Sequence, residues 1–279
     1  MSSKEIKSVA VVGGTGTLGK PVVQELVAHG FRVTVLSRSE KQDELPNVEL
    51  KAVDYDSFES LRQLWQQTVL DAAYASGVKR FIPSEFGINT RELQGLKIAQ
   101  MLSGKIKLVD DLQKKAQENV DFTWTGLSNG LFFHYLGFDA KAKKAIIYDS
   151  GNEPFQTSSL ELISKAVASI LKHPRDTANK YLSIASFQPS LNEILQIVEH
   201  ETGSKWSVER LDTKDLQKTG EKKLSNGDFS AFRELLRVHI HRDGDGHSVA
   251  EGKLANGLLE LPQEDLRDSI RKWLGEVAT

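Results

Sequence analysis

The stretch Val9-Ala10-Val11-Val12-Gly13-Gly14-Thr15-Gly16-Thr17-Leu18-Gly19 constrains this chain more than any other. Val9 to Val12 read as a buried strand that runs straight into a glycine-rich turn, and Pro21 to Val27 continue as a helix. Gly14, Gly16 and Gly19 fall in the spacing Gly-x-Gly-x-x-Gly. That spacing supplies a turn free to adopt positive φ, a surface without Cβ that a phosphate can approach, and a small residue for close helix–strand contact. The helix aims its unpaired N–H groups and positive dipole end at the same point. Strand, turn and helix in this order predict a dinucleotide-binding unit in which Gly13, Gly14, Thr15, Gly16, Thr17, Leu18 and Gly19 surround a pyrophosphate.

The end of the second strand selects the dinucleotide. Phe31 to Leu36 form that strand, and Ser37-Arg38-Ser39 follow about twenty residues beyond the glycines, where an NAD-selective site places Asp or Glu on the ribose 2′-OH. No acid stands there. Arg38 instead offers a rigid fork of donors suited to a 2′-phosphate, so Ser37 and Arg38 predict NADP(H).

With 279 residues, 39% of them hydrophobic, the chain can bury a substantial core as one large or two intimate domains. Its net charge of −2 and scattered lysines give no nucleic-acid footprint. Cysteine is absent, which excludes disulfides, thiolate nucleophiles and cysteine-ligated metals. The polar start of the chain and the lack of any membrane-length apolar run lead to the expectation of a soluble, cytoplasmic protein with no membrane partner. His239-Ile240-His241-Arg242-Asp243-Gly244-Asp245-Gly246-His247 has potential ligands, but its carboxylate spacing is incomplete for a calcium loop. It reads as a mobile polar loop, and no metal is expected.

The first half alternates strands and helices, the pattern of a parallel sheet covered on both faces. Strands are expected near 8–13, 32–36, 48–53, 79–83 and 122–127, with helices at 19–29 and within 93–117, the latter broken near Gly104. Only about two dozen residues separate Asp54 from the strand at Lys79, and they carry helical periodicity alone. A regular doubly wound domain has a further strand and helix in that interval. The expected fold is therefore α/β, a Rossmann-like doubly wound parallel sheet one βα unit short, the alternative being a very short strand within Trp65 to Val69. Residues 1–130 form the cofactor domain, with a strand near 181–186 returning to its sheet, and 131–279 form a smaller, interleaved substrate-side region. Within that region a strand at 145–148 and helices at 158–172 and 190–203 are expected, the last opened by a Ser190-to-Glu193 capping box.

The glycine turn, Ser37-Arg38, the block Val78-Lys79-Arg80-Phe81-Ile82-Pro83-Ser84-Glu85-Phe86-Gly87 and the later Phe122-Thr123-Trp124-Thr125 occur in this order. In that arrangement the chain resembles the isoflavone reductase-like, NmrA-type branch of the atypical short-chain dehydrogenases, most of all its fungal members, over nearly its whole length. The resemblance implies hydride transfer from NADPH to a small aromatic or conjugated carbonyl or ene substrate, in fungi often within secondary metabolism. It also implies a lysine acid or base on the helix after the Phe-Gly block. Lys107 matches that position best, with Lys105 as the alternative and neither as a further possibility. The Tyr-x-x-x-Lys pair of ordinary short-chain dehydrogenases is absent, since no tyrosine is followed four residues later by lysine.

Phe86 and Asn129 stand at carboxyl ends of strands, where open α/β sheets meet ligands, and are expected to contact the cofactor. Phe132, Phe133 and His134 are expected in the substrate pocket, each with a plain packing role as the alternative. In relatives the interval between Asp54 and Val78 helps to hold the nicotinamide, and Gln66 or Gln67 is what would remain of that wall. Its shortening leaves a second reading open, a catalytically inactive NADP(H)-binding sensor or regulator, and a third, an inactive family member. Beyond cofactor and small-molecule substrate, the chain is expected to act as a monomer or homodimer. Arg38→Ala should weaken binding of NADP(H) far more than of NAD(H), as measured by calorimetric titration; an equal loss for both would remove the case for 2′-phosphate recognition.

Overall fold

A computed structural model describes residues 5–37, 48–52, 65–135, 137–245 and 254–278. In chain order the described elements are β1 (Ser8–Val12), α1 (Gly19–Ala28), β2 (Arg32–Ser37), β3 (Val48–Ala52), α2 (Trp65–Ala75), β4 (Arg80–Phe81), α3 (Ile98–Met101), α4 (Ser103–Glu118) and β5 (Thr123–Ser128). There follow β6 (Leu131–Phe132), β7 (Phe138–Asp139), β8 (Lys144–Tyr148), β9 (Thr157–Ser158), α5 (Leu160–Lys172), β10 (Lys180–Ser183), α6 (Leu191–Thr202), β11 (Ser207–Leu211), α7 (Thr213–Ser225), α8 (Ala231–His241) and α9 (Leu266–Ala278).

The amino-terminal strands form a parallel sheet in the order β1-β2-β3, with Val9 opposite Val33 and Val11 opposite Val35. A second parallel sheet has the order β10-β5-β4, in which Tyr181 lies opposite Gly126 and Phe81 opposite Trp124. The two sheets share one apolar core. Val22, Val23 and Leu26 of α1, Val33 and Val35 of β2, Leu127, Leu182 and the face Leu162-Ile163-Ala166-Val167-Ile170-Leu171 of α5 meet there, with Val9, Val11 and Ile82 at its margin. Yet β1 and β4 belong to separate ladders, and among the described residues no strand lies between β3 and β4. Part of that interval, residues 53–64, lies outside the described residues.

Local chemistry sets the elements that carry this core. The buried residues of α5 recur at helical spacing on one face, and the Ser159 hydroxyl caps its start by accepting from the Leu162 N–H at 2.9 Å. Helix α1 ends where Gly30 takes φ +81°, with the Phe31 N–H donating back to the Leu26 carbonyl at 3.1 Å, a left-handed stop that favours glycine. The capping box of α6 forms, the Ser190 hydroxyl accepting from the Glu193 N–H at 3.1 Å, and Gly203 at φ +59° closes the helix.

Strand β4 is only two residues long because Pro83 has no N–H to extend the ladder. What it lacks in ladder it gains through Arg80. The guanidinium donates to the hydroxyls of Thr123 (2.8 Å), Thr125 (3.0 Å) and Thr177 (2.9 Å) and to the Pro174 carbonyl, tying β4 to β5 and to the segment after α5. Burial lowers its pKa to about 10.

The carboxyl-terminal lobe has its own sheet, β11-β8-β7, with β8 parallel to β11 and antiparallel to β7. Its core gathers Ile147, Phe155, Phe187, Leu191, Ile240 and Ile270. Strand β11 was not expected from its exposed, charged residues; its ladder with β8 forms it.

The histidine run also departs from expectation. His239 and His241 are buried in the last turn of α8 rather than held in a loop, and beyond them Asp243 accepts from the Ser150 hydroxyl at 2.8 Å. Apolar partners on both sides decide this. The His241 ring stacks on Tyr148 with centroids 4.9 Å apart and meets Phe155 edge-on at 4.9 Å. Neither of its ring nitrogens has a hydrogen-bond partner among the described residues.

Burial and the nearby Arg237 hold the His241 imidazole down to about 3, against the Asp149 charge. The unfolded chain binds this proton below about 6.5 and the folded chain does not. The corresponding stability is therefore complete above 6.5 and is lost as pH falls toward 3, by roughly 1 kcal/mol per pH unit within that window. Urea midpoints measured between pH 7 and pH 4 should fall more steeply for the wild type than for His241→Phe; parallel slopes would contradict a neutral buried imidazole.

Candidate active site

The glycine turn folds into a cradle. Gly13 has φ +72° and receives the Gly16 N–H on its carbonyl at 3.0 Å. A Cβ on Gly19 would stand 2.1 Å from the Gly13 carbonyl oxygen, and one on Gly14 would stand 2.7 Å from Val35. Both glycines are thus required for α1 to seat against β1 and β2. A Cβ on Gly16 would meet nothing closer than the Gly13 oxygen at 3.4 Å, and Thr15, Gly16 and Thr17 are exposed. The tip is an open, unencumbered backbone surface. Leu18 at the N-cap gives α1 no side-chain cap, Lys20 donates its N–H to the Gly16 carbonyl at 2.9 Å and Pro21 has none, so what the turn offers a ligand is chiefly its exposed backbone at Thr15 to Thr17.

Ser37 ends β2 beside the cradle, in register with Ala52 of β3. Arg38 lies outside the described residues.

A second group of residues assembles at the carboxyl ends of β4 and β5. The Gly87 carbonyl accepts from the N–H groups of Asn129 (3.0 Å) and Gly130 (3.1 Å), and the Asn129 carbonyl accepts from the Ser158 hydroxyl at 2.8 Å. Gly130, at φ +66°, passes so close to Gln156 that a Cβ would lie 2.1 Å from the Gln156 carbonyl oxygen. Asn129 is wholly buried in this clamp. Its Nδ2 donates to the Gly130 carbonyl at 3.1 Å, and its Oδ1 is a buried acceptor with no partner. Phe86 and Phe132 flank the clamp, each partly buried against the amino-terminal core. Gln66, in the first turn of α2, accepts from the Ser84 N–H at 3.3 Å, whereas Gln67 pairs with Asp71 on the same helix.

Two other expected pocket residues lie in the carboxyl-terminal lobe. Phe133 is buried in its core with its ring 5.4 Å from Phe187, and with His134, Phe138 and Trp273 it lines a small cavity there. His134 is exposed and faces Glu276 at 3.7 Å.

The two lysines of α4 lie on opposite faces. Lys107 is 73% exposed and pairs with Asp111 at 3.1 Å, which turns it away from the strand ends where the clamp forms. Lys105 precedes Leu108, Val109 and Leu112, the buried face of α4, by three, four and seven residues, the spacing that puts side chains on one side of a helix. Burial lowers its pKa, and the Glu85 charge opposes that shift. The two lysines thus differ in setting, Lys105 half-buried on the packed side of α4 and Lys107 exposed on its outer side.

Glu85, Thr90 and Tyr181 were not among the expected site residues. The Glu85 carboxylate is wholly buried; its Oε2 accepts from the Thr90 hydroxyl at 2.5 Å and the Tyr181 hydroxyl at 2.8 Å, and its Oε1 has no partner. Burial, reinforced by the Glu85 charge, pushes the Tyr181 phenol well above its ordinary range, so it stays a donor. The one signal in the chain was a carboxylate set between Pro83 and Phe86 at a strand end. Among the described residues no cluster of three or more metal-ligating side chains forms, and no helix is long and apolar enough to cross a membrane.

Comparison with known proteins places this geometry among relatives. The model of the NmrA-like family matches residues 60–226, more than half of the chain, and that of the NAD dependent epimerase/dehydratase family matches residues 9–90. Oxidoreductase aprR of Aspergillus flavus is 29% identical over 95% of this chain and 98% of its own length. The bifunctional pinoresinol-lariciresinol reductase 2 of Thuja plicata is 28% identical over 83% of this chain and 82% of its own. The solved structure of AtPrR2 with NADP+ and (+)pinoresinol shares the fold, with a TM-score of 0.76 at 19% identity, covering 98% of this chain and 100% of that one.

Gly19→Ala should cost both stability, by about 1–3 kcal/mol, and cofactor affinity, because the methyl cannot be placed without moving the Gly13 carbonyl. Thermal unfolding and cofactor titration of the variant read the two effects; a Tm and affinity equal to wild type would show that the close contact is dispensable.

Proposed function

The chain belongs to the NmrA-like family, and on that premise we propose that it is an NADPH-dependent reductase of small aromatic or conjugated carbonyl or ene substrates. Relatives named as oxidoreductases and lignan reductases over most of both chains support this reading. The cradle fits the cofactor: exposed backbone at Thr15 to Thr17, no Cβ at Gly16 and an uncapped helix terminus suit a pyrophosphate. Arg38 supplies the choice of NADP(H) over NAD(H). Bound NADPH supplies the hydride.

The remaining work falls to this chain's side chains. Asn129, anchored through its backbone and Nδ2, offers its unpartnered Oδ1 as a fixed acceptor for an amide or hydroxyl donor. Phe86 and Phe132 give apolar surface for a flat ring. Lys105 delivers the proton that accompanies hydride transfer. Desolvation brings its ammonium nearer to working pH, which makes it a better acid than an exposed lysine. The observation that carries the reading is this placement: a partly desolvated lysine on the buried face of α4, coupled to a buried carboxylate at the strand ends, while Lys107 is ion-paired on the outer face.

One observation favours a second reading, an NADP(H)-binding sensor or regulator without turnover. Among the described residues no ladder joins β1 to β4, on the side where a nicotinamide wall would stand, and hydride transfer depends on near-attack geometry more steeply than binding does.

Lys105→Met should lower kcat by roughly 10²–10⁴-fold while NADPH still binds, and Lys107→Ala should remain near wild type. A screen of enones, quinones and aromatic ketones by NADPH absorbance supplies the assay. Tight NADPH binding with no turnover of any of them would favour the sensor; a Lys105→Met enzyme as fast as wild type would remove the lysine from the mechanism.

A further inference from the structure

A carboxylate sealed from solvent with one oxygen unanswered is costly, and a protein retains it only where something else uses it. Glu85 is such a group: its side chain is wholly buried, Oε2 takes both neighbouring hydroxyls, and Oε1 has no hydrogen-bond partner. The hydroxyls are themselves fixed. Tyr181 lies across β5 at Gly126, where a Cβ would fall 2.6 Å from its ring, so the missing side chain lets the phenol reach the strand end. Thr90 sits in a tight turn whose cap is the Asn89 side chain, accepting from the Arg91 N–H at 3.0 Å, and the Thr90 N–H donates to the Tyr181 oxygen at 3.3 Å. Carboxylate, phenol and threonine thus hold one another rigidly, with Oε1 left over.

The charges around this group divide cleanly. Arg91 is paired with Asp110 at 2.9 Å and Lys107 with Asp111 at 3.1 Å. Arg80 is spent on threonine hydroxyls and a carbonyl, and Tyr181 is neutral. Lys105 is the ammonium whose pKa responds to the Glu85 charge, and it forms no hydrogen bond or ion pair among the described residues. The start of α4 lies against the Glu85 group: Leu108 and Tyr181 share one apolar cluster, and the Arg91 guanidinium, next to Thr90, donates to the Ile106 carbonyl at 3.4 Å.

We propose that Glu85 is the positioning residue for Lys105: locked by Tyr181 and Thr90 through Oε2, it presents Oε1 as the counter-charge that orients the lysine and stabilises its ammonium form until the proton is delivered. This rests on the reading of Lys105 as proton donor. In the reduction the substrate takes a hydride from NADPH and a proton from the Lys105 ammonium, and the neutral amine is reprotonated from solvent. Glu85 passes no proton to the substrate and acts only on where and when the lysine holds its own.

The test reads the coupling directly, by carbon NMR of lysine labelled at Cε and glutamate labelled at Cδ, with Lys105→Met and Glu85→Gln assigning the two resonances. Glu85→Gln is isosteric and removes only the charge; it should move the Lys105 titration midpoint to lower pH. Lys105→Met, at a half-buried helix position, should move the Glu85 midpoint to higher pH by reciprocity, so the proposal can be judged even where one variant fails to fold. In the turnover assay the alkaline limb of the kcat/KM profile should shift toward acid in Glu85→Gln, because less of the lysine carries its proton at a given pH. Unmoved midpoints, or a lower rate with an unmoved limb, would overturn the proposal and leave Glu85 as a packing residue. Coupled midpoints with full turnover in Lys105→Met would instead retire the proton-donor reading under which the pair acts.

Discussion

Among the described residues, side-chain burial rather than a continuous ladder joins the two halves of the amino-terminal domain. Strands β1, β2 and β3 share one set of hydrogen bonds and β4, β5 and β10 another. What holds the sets together is the core shared by α1 and α5, in which Val22, Val23 and Leu26 meet Leu162, Ile163, Ala166 and Ile170 over Val33, Val35, Leu127 and Leu182. The hydrophobic effect has no direction, so it can bridge an interrupted sheet where hydrogen bonds cannot. Arg80 supplies direction on one side of the interruption by fastening the two-residue β4 to β5 and to Thr177.

The interruption also explains where polarity is concentrated. Cradle and clamp lie at the carboxyl ends of parallel strands, the side where open α/β sheets meet ligands. In the clamp the chain buries Glu85, Thr90, Ser128, Asn129, Gln156 and Ser158, while the cores on either side are built of aliphatic and aromatic residues. Three atoms of this group, Glu85 Oε1, Asn129 Oδ1 and Gln156 Nε2, have no partner. Buried atoms without a partner also occur elsewhere, at both His241 ring nitrogens and at Trp124 Nε1, so what sets this group apart is that its unanswered polarity coincides with the carboxyl ends of parallel strands.

Much of this was legible in the chain. The strand, the Gly-x-Gly-x-x-Gly turn and the helix appear where the residues put them, because the contacts that Gly14 and Gly19 answer to, Val35, Val23 and Gly13, are near in the chain. The capping box at Ser190 and the buried face of α5 follow from spacing alone. Less legible was α4. Lys105 and Lys107 are two residues apart and nearly opposite on the helix, and the deciding signal was the distance to Leu108 and Leu112, which only the direction of the core turns into an inside and an outside. The histidines of α8 misled for a related reason: polar residues beside glycines read as a loop until Tyr148 and Phe155 are brought against them.

By itself the sequence determined an alternating α/β chain with a phosphate cradle at its first turn, since these depend on backbone freedom, periodicity and short-range packing. Only the tertiary structure decided which lysine of α4 is half-buried, that Phe133 belongs to the second core, and that Tyr181 crosses from β10 to Glu85, 96 residues away in the chain. Contacts of that range are set by the register of β10 on β5 and by the orientation of whole helices, and neither leaves a mark in the order of neighbouring residues.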